Sequence, residues 1–468
     1  MPAPRLALCC RWFAIGTLLI ASAAFGAAAA DSQVKTPSSE EISPAEWRRL
    51  QLAAADKSDE IMRVAQKRPG LLAQYEHMQT AYDANQERAF RLIFGQYLSW
   101  FQTYIGDYDG AAASFSIAQP PQADDGPSPL AGGYAAKPAA AVILELARSR
   151  KAVFFNEAHS APITRTLTIE LLPKLRELGF THFAAETLYD SDHALMKRGY
   201  PTAKSGFYVD EPLYGEMVRT ALKLGYTVLA YDVENAGAGD ARERAGAEKL
   251  YREVFRKDPN ARLVVNAGFA HVQKSGKYLG GRSMGEFFAE ISGIDPLTIE
   301  QTMLIQHARP DQDHPYYHAV MDALHPRQPI VFVGGDGAPW TLKPGKYDLS
   351  VWFPPATTMK QRPDWLTLDG LRLPYAVGGE LCRNQFPCLV EARYADEGDD
   401  AVAADRTVLN VVDPNAPANQ RILEGHGEAQ SRLFLRAGRY RLRTIDRGNR
   451  TLLTREITVD PTTAVHHE

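Results

Sequence analysis

Four short apolar runs in the middle of this 468-residue chain each end on groups that could do chemistry. The run 152–156 leads into Asn156-Glu157-Ala158-His159, and 182–186 ends at Glu186-Thr187. The run 227–232 contains Tyr231-Asp232 and continues into Val233-Glu234, while 262–266 leads into Gly268-Phe269-Ala270-His271. Imidazole next to carboxylate supports two chemistries at neutral pH. It ligates a divalent metal, or the carboxylate orients the ring so that its other nitrogen works as a general base. A single Glu or His after a strand is ordinarily a cap or a solvated loop residue. Four strand ends carrying such groups predict instead that two histidines and two to four carboxylates share one pocket.

That pocket requires strands that run the same way. From residue 139 onward apolar strands alternate with helical patterns, the signature of a mainly parallel sheet covered by helices. In such α/β folds ligands bind in the crevice beyond the carboxyl ends of the strands. Between the first two runs Ile163, Leu167, Leu171, Leu175 and Leu178 keep a helical stripe, and Pro173 is expected to kink or split that helix. Between the second and third, Asp210 is the expected cap of a helix carrying Leu213, Met217, Val218, Ala221 and Leu222, which Gly225 ends. Between the third and fourth, Asp240 and Glu243 read as a capping box for a helix through Arg256.

Composition bounds the rest. The chain is 45% hydrophobic and 23% charged with a net charge of −4, which is ordinary for a globular protein and offers no basic footprint for nucleic acid. Arg5 and Arg11, the apolar stretch 12–24 and Ala28-Ala29-Ala30 before Asp31 read as a signal peptide over residues 1–30, so the mature protein is expected in the periplasm or outside the cell. No later segment approaches a membrane span. Of four cysteines only Cys382 and Cys388 outlast cleavage, and a pair six positions apart in an oxidising compartment reads as a local disulfide. Residues 31–118 are expected to be helical. Ser43-Pro44-Ala45-Glu46 starts a helix that runs to Pro69-Gly70, and the stretch from Gly106 to Ala118 faintly resembles half of a tetratricopeptide repeat, read as a packed hairpin. Residues 119–138, rich in proline, read as a linker or surface loop. The α/β domain is assigned to 139–360, with 330–333 and 347–353 finishing it. A β-rich, sandwich-like module is assigned to 361–468, with strands 433–445 and 452–459 flanking the turn Asp446-Arg447-Gly448-Asn449 and Arg436, Arg439, Arg441 and Arg443 on a solvated face.

Asn156-Glu157-Ala158-His159, Arg165, Ala185-Glu186-Thr187 and the stretch from Asn266 to Val272 resemble the motifs of the superfamily that includes ChaN-like haem-uptake proteins and erythromycin esterases. TIKI/TraB-type metalloproteases are more distantly similar, through a Gly-x-x-His element matched by Gly268 to His271. The resemblance covers about residues 139–306, and Arg242-Glu243-Arg244 and Ser283-Met284-Gly285 fall within it. It implies a site of Glu157, His159, Glu186 and His271, acting as catalytic groups or as metal ligands, with Arg165 and Asp232 behind them or touching substrate. Two departures stand out. Asn156 replaces the family's usual glycine, and Gly268 occupies the place of the first of two histidines paired in the esterases. The Glu-x-His spacing is that of the ChaN-like branch. The resulting expectation is an exported hydrolase of an ester or amide, acting on a small molecule or peptide, with a divalent metal as a cofactor option. The alternative is a non-catalytic periplasmic binding protein for haem or another small ligand, with Tyr189, Tyr208 and Tyr231 as available haem ligands.

Two other patterns read as structure. Gly281-Arg282-Ser283-Met284-Gly285 fits Gly-x-Ser-x-Gly, but it does not directly follow a strand, so Ser283 with Glu286 reads as a helix cap. His307, His314 and His318 lie in a Pro- and Asp-containing loop and read as surface histidines.

Overall fold

The computed structural model describes residues 42–461 apart from 235, 279, 360–361 and 411–429. The leader expected over 1–30 lies outside the described residues.

The four apolar runs form strands β2 (Ala152–Glu157), β3 (His182–Ala185), β4 (Thr227–Ala230) and β5 (Leu263–Gly268), and all four pair in parallel. Two short strands, β6 (Leu297–Glu300) and β8 (Leu349–Ser350), extend the sheet to the order β4-β3-β5-β2-β6-β8. Every residue of β2 and β5 is buried, as the continuous apolar runs of a doubly covered parallel sheet require. The fold is thus α/β, with helices before the sheet and β structure after it.

Four helices lead the chain: α1 (Pro44–Ala65), α2 (Gly70–Asp83), α3 (Arg88–Tyr104) and α4 (Tyr108–Ser114). Ser43 caps α1 as its Ser-Pro-x-Glu signature predicts, accepting the Glu46 amide at 3.2 Å. The front does not stand apart. One hydrophobic cluster joins Phe94, Tyr97 and Trp100 to Val153 and Phe155 of β2 and to Phe434 near the C-terminus. The proline-rich stretch after α4 is likewise tied down rather than a free linker. Gln119 N donates to Gln312 O, Trp340 Nε1 donates to Pro127 O, and β1 (Ala135–Pro138) pairs antiparallel with β7 (Ile330–Val333).

Two cap readings are corrected and one alternative is narrowed. Helix α6 (Ile163–Glu177), which follows α5 (Ala139–Ala147), keeps Pro173 inside one element, so of the expected kink or split the split does not occur. After the short α7 (Leu195–Arg198), helix α8 (Pro212–Lys223) is capped by Glu211, whose carboxylate accepts the amides of Leu213 and Tyr214, while Asp210 ends the preceding 3-10 turn. Helix α9 (Asp240–Leu250) starts at Gly239 with no side-chain cap, and Glu243 is drawn away to His271. In α10 (Met284–Ser292) Ser283 is the cap, accepting Glu286 N at 3.1 Å.

In the C-terminal region, after the two-residue strands β9 (Thr358–Met359) and β10 (Arg362–Pro363), β11 (Leu373–Gly378) pairs with β14 (Gln430–Leu435). A four-stranded antiparallel sheet comprises β12 (Cys388–Tyr394), β13 (Asp405–Leu409), β15 (Gly438–Ile445) and β16 (Thr451–Val459). The predicted long strand 433–445 is therefore two. Cys382 and Cys388 form the expected disulfide, buried within this module's core. Its arginines are less solvated than their alternation implies. Arg436 pairs with Glu216 of α8 and Arg443 with Glu391, and only Arg439 stands well out in solvent. Among the described residues no helix is long and apolar enough to cross a membrane.

Candidate active site

Sheet register decides what meets at the strand ends. Strand β5 lies between β2 and β3, pairing Glu157 with Gly268 on one side and Ala185 with Asn266 on the other. The residue after Ala185 is Glu186, so Glu157, Gly268 and Glu186 sit side by side along one edge. Gly268 is what allows the side chains to close over it. A β-carbon there would lie 2.4 Å from the His159 ring and 2.8 Å from Glu186 Oε2.

The structure brings all four expected residues together. His159 Nδ1 is 2.9 Å from Glu157 Oε1, and His159 Nε2 is 3.9 Å from Glu186 Oε2. The other oxygen of Glu186 is 3.1 Å from His271 Nε2, and His271 Nδ1 is 2.7 Å from Glu243 Oε2. Glu186 therefore stands between two histidines, each held from behind by its own carboxylate. The backbone also bends sharply here. Thr187 and Phe269, which follow the ends of β3 and β5, both have positive φ, 63° and 46°. Non-glycine residues pay for that conformation, which is concentrated at functional sites in folded proteins.

The outer layer consists of groups that fix the inner one. Arg165, fully buried on α6, grips Glu157 with Nε at 2.8 Å and Nη2 at 2.6 Å, and its Nη1 reaches Glu211 at 2.6 Å. Asn266 Nδ2 donates to Glu157 as well, at 2.6 Å. Asp232 accepts the Thr187 amide at 2.7 Å and Arg242 Nη2 at 2.8 Å. Arg165 and Asp232 thus both bond to groups that form or adjoin the inner cluster. Arg242 also donates to Glu186, at 3.2 Å, and its Nη1 passes 3.3 Å from His271 Nε2, two donors turned on the same carboxylate. Glu211 does not declare itself in the sequence as part of the site. Asn266 opens one of the stretches that carry the resemblance, and Arg242 and Glu243 fall within its span, but helical spacing reads Glu243 as a cap and nothing local points to Arg242.

The helical front buttresses the same centre. Tyr208 stacks on the His159 ring with centroids 4.3 Å apart, and Trp100 of α3 packs edge-on against Tyr208. Tyr108 of α4 donates to Glu211 at 3.1 Å. Of the tyrosines available as haem ligands, Tyr208 is buried in this packing and Tyr231 in a separate cluster with Phe154 and Met284.

Charge follows geometry. Burial pushes the Glu157 carboxyl up, but the Arg165 guanidinium and His159 outweigh it and hold the group at about 2. Glu186 is likewise held well below the usual carboxylate range against burial, by His271, His159 and Arg242. Burial alone would depress His271, yet Glu243 and Glu186 raise it to about 9, so it is an imidazolium at neutral pH. Because the folded value lies above the ordinary 6.5, His271 stabilises the fold fully below pH 6.5, and that contribution is lost as pH rises through 9. Melting temperature is expected to fall between pH 7 and pH 10, and His271→Gln to flatten that fall. An unchanged slope in the variant would remove His271 as its cause.

These partners argue against a metal shell built from Glu157, His159, Glu186 and His271. Both Glu157 oxygens are taken by Arg165, His159 and Asn266, and the two ring nitrogens of His271 face carboxylates as donors. Among the described residues no three His, Cys, Asp or Glu side chains are grouped to hold an ion.

A cleft opens next to the site. It is lined on the sheet side by Ala158, Ser160 and Phe269, immediate neighbours of His159 and Gly268, and by Phe115 and Ile117 from the segment after α4. Gly268→Ala is expected to push His159 and Glu186 apart with the fold retained, and any reaction the cluster catalyses to slow by about 100-fold, since a displacement near 1 Å costs that much. Equal activity in the variant would show that the close approach is not needed.

No family model matches this sequence, and no curated protein matches it. Among solved structures the chain is similar to the type III effector HopBA1, at 16% identity and a TM-score of 0.27 over 39% of this chain and 95% of that one. It is also similar to a structure titled bacterial protein toxins, at 15% identity and a TM-score of 0.26 over 55% of this chain, and it spans about half of that chain, 47%. A third is RRSP, a MARTX toxin effector domain from Vibrio vulnificus, at 13% identity and a TM-score of 0.25 over 58% of this chain and 67% of that one.

Proposed function

We propose that this protein is a hydrolase of the ChaN-like and erythromycin-esterase-like group that cleaves an ester or amide without a metal, using His159 as general base. The observation that carries the reading is the pair of buried Glu–His contacts converging on Glu186, at 2.9 Å and 3.9 Å around His159 and at 3.1 Å and 2.7 Å around His271. A carboxylate on Nδ1 fixes the tautomer and leaves Nε2 as the base, the logic of an oriented catalytic histidine.

In this mechanism the carbonyl of the substrate enters from the cleft beside Ser160 and Phe269. His159 Nε2 takes a proton from water as its oxygen adds to the carbonyl carbon. Glu157 stabilises the imidazolium that forms, and Glu186 Oε2, 3.9 Å from Nε2, flanks the position of the attacking water. Collapse of the tetrahedral adduct expels the alkoxide or amine, which takes the proton back from His159. The His271 imidazolium and Arg242 offset the charge of Glu186, so that the negative intermediate does not form beside a bare carboxylate.

The test is a panel of chromogenic esters and anilides assayed with wild type, with wild type in chelator, and with His159→Asn. Hydrolysis that survives chelator and is lost in His159→Asn supports the reading. Activity lost in chelator and restored by a divalent ion overturns its metal-free form, and no hydrolysis across the panel, with a Soret band on the purified protein, favours the haem-binding alternative.

A further inference from the structure

The cleft beside the His159 centre, lined by its neighbours Ala158 and Ser160, has a histidine of its own on its wall. Loop composition assigns His307, His314 and His318 to the surface, but the structure buries the first two. His307 lines the cleft together with Ser160 and Phe269, and its side chain is only 6% exposed. Its Nδ1 lies 2.9 Å from Asp313 Oδ1, and that same oxygen accepts the His307 amide at 2.7 Å. Asp313 is itself buried, and its second oxygen receives His318 Nε2 at 3.1 Å. His314 belongs elsewhere, paired with Asp125 at 3.1 Å. The carboxylate makes Nδ1 the donor, so Nε2 keeps the lone pair, and it has no partner among the described residues.

A second stretch of the lining complements it. Residues 115–119 run on from α4 with their ends tied, Phe115 N to Ala111 O at 3.1 Å and Gln119 N to Gln312 O at 2.8 Å. Between those ties the amides of Ser116 and Ile117, both lining the cleft, donate to nothing among the described residues. The cleft therefore offers main-chain donors, a fixed imidazole acceptor and the apolar surfaces of Phe115, Ile117 and Phe269. That combination matches an extended chain with alternating C=O and N–H groups and an apolar branch, the way a strand-like segment takes a peptide.

We propose that His307 and the Ser116 and Ile117 amides bind the substrate, and that the substrate is an amide-bearing chain with an apolar side group, His307 accepting the amide N–H on the carboxyl side of the residue that carries that group. The catalytic arm of this proposal rests on the hydrolase reading, whereas the binding arm does not. A site built to accept an N–H discriminates strongly against an analogue that lacks it, because the buried acceptor is then left unpaired.

Two measurements test it on the whole mature chain. The first titrates N-acetyl-leucinamide, an unreactive probe, into protein with 15N-labelled histidine and follows the ring nitrogens. The second compares kcat/KM for the p-nitroanilide and the p-nitrophenyl ester of N-acetyl-leucine in wild type, His307→Ala, His307→Gln and His318→Ala. The probe is expected to shift His307 Nε2 and to bind at least tenfold more weakly to His307→Ala. Cleavage of the anilide is expected to fall at least tenfold in His307→Ala with the ester changed less than threefold, His307→Gln to recover part of the loss through its carbonyl, and His318→Ala to stay within twofold of wild type. A probe that leaves His307 unmoved, or anilide and ester falling together in both His307 variants, overturns the proposal. If wild type cleaves neither compound while the probe still shifts His307, the hydrolase reading fails and the binding site stands.

Discussion

His159→Ala is expected to lower kcat by about a thousandfold or more against whichever ester or amide wild type hydrolyses, with KM changed little. Positioned general bases contribute about 10²–10⁴-fold, and loss of a whole oriented histidine falls at the upper end of that range. The geometry specifies why the loss should fall on kcat. His159 is buried between Glu157, Tyr208 and Phe269, and Nε2 is the atom nearest Glu186. Its removal takes away the proton acceptor but leaves the cleft walls formed by Phe115, Ile117 and Ala158 in place. Glu157→Gln separates orientation from basicity. The amide keeps a carbonyl for the ring N–H but does not stabilise an imidazolium, so a smaller loss of about tenfold to a hundredfold is expected. Steady-state kinetics on both variants checks this, and wild-type kcat in His159→Ala would exclude His159 as the base.

Arg165→Ala should have the largest effect on stability, a loss of about 3–5 kcal/mol. The residue is fully buried and neutralises two buried carboxylates at once, Glu157 and Glu211, each at 2.6 Å. Deleting one partner of such a cluster leaves uncompensated charge where water cannot reach it. Glu157 would then lose the group that holds it at about 2, and acid sensitivity should move upward in pH. The sign is that of a depressed carboxylate. In wild type its stabilisation is present above the ordinary value of 4.5 and is lost as pH falls through 2, so the variant lacks that contribution at neutral pH. Arg165→Lys should rescue little, because an ammonium does not fork across both Glu157 oxygens while also reaching Glu211. Urea unfolding at pH 7 and pH 4 measures all three effects, and a loss under 1 kcal/mol for Arg165→Ala would show that Glu157 and Glu211 find other partners or water.

Much of the framework is legible in the chain. The four apolar runs become four neighbouring strands, from the edge strand β4 to β2, and those of β2 and β5 are visible without any neighbour because a strand covered on both faces needs uninterrupted apolar residues. The same holds for Ser43 before Pro44 and for Gly225 after α8, whose signals are local in sequence. The placement of Glu157, His159, Glu186 and His271 at the strand ends is legible too, since a parallel sheet aligns its carboxyl ends. Local spacing misleads at Glu243. Helical spacing offers that residue a cap, but a charged ring of His271 lies 2.7 Å away in the folded chain and is the better partner for a buried carboxylate.

By itself, then, the sequence determined the strands, the parallel α/β class, the disulfide pair and the four residues that carry the candidate chemistry. Each of these follows from patterns within a few positions or from the rule that parallel strands share a polarity. Only the tertiary structure decided that β5 inserts between β2 and β3, which sets Gly268 beneath His159 and Glu186. It alone decided that Arg165 faces Glu157 and Glu211 rather than a ligand, and that the helical front, through Trp100 and Tyr208, props the imidazole. The physical reason is that a buried charge selects its partner by distance and desolvation in three dimensions, between residues up to about a hundred positions apart, and no local spacing in the chain encodes that choice.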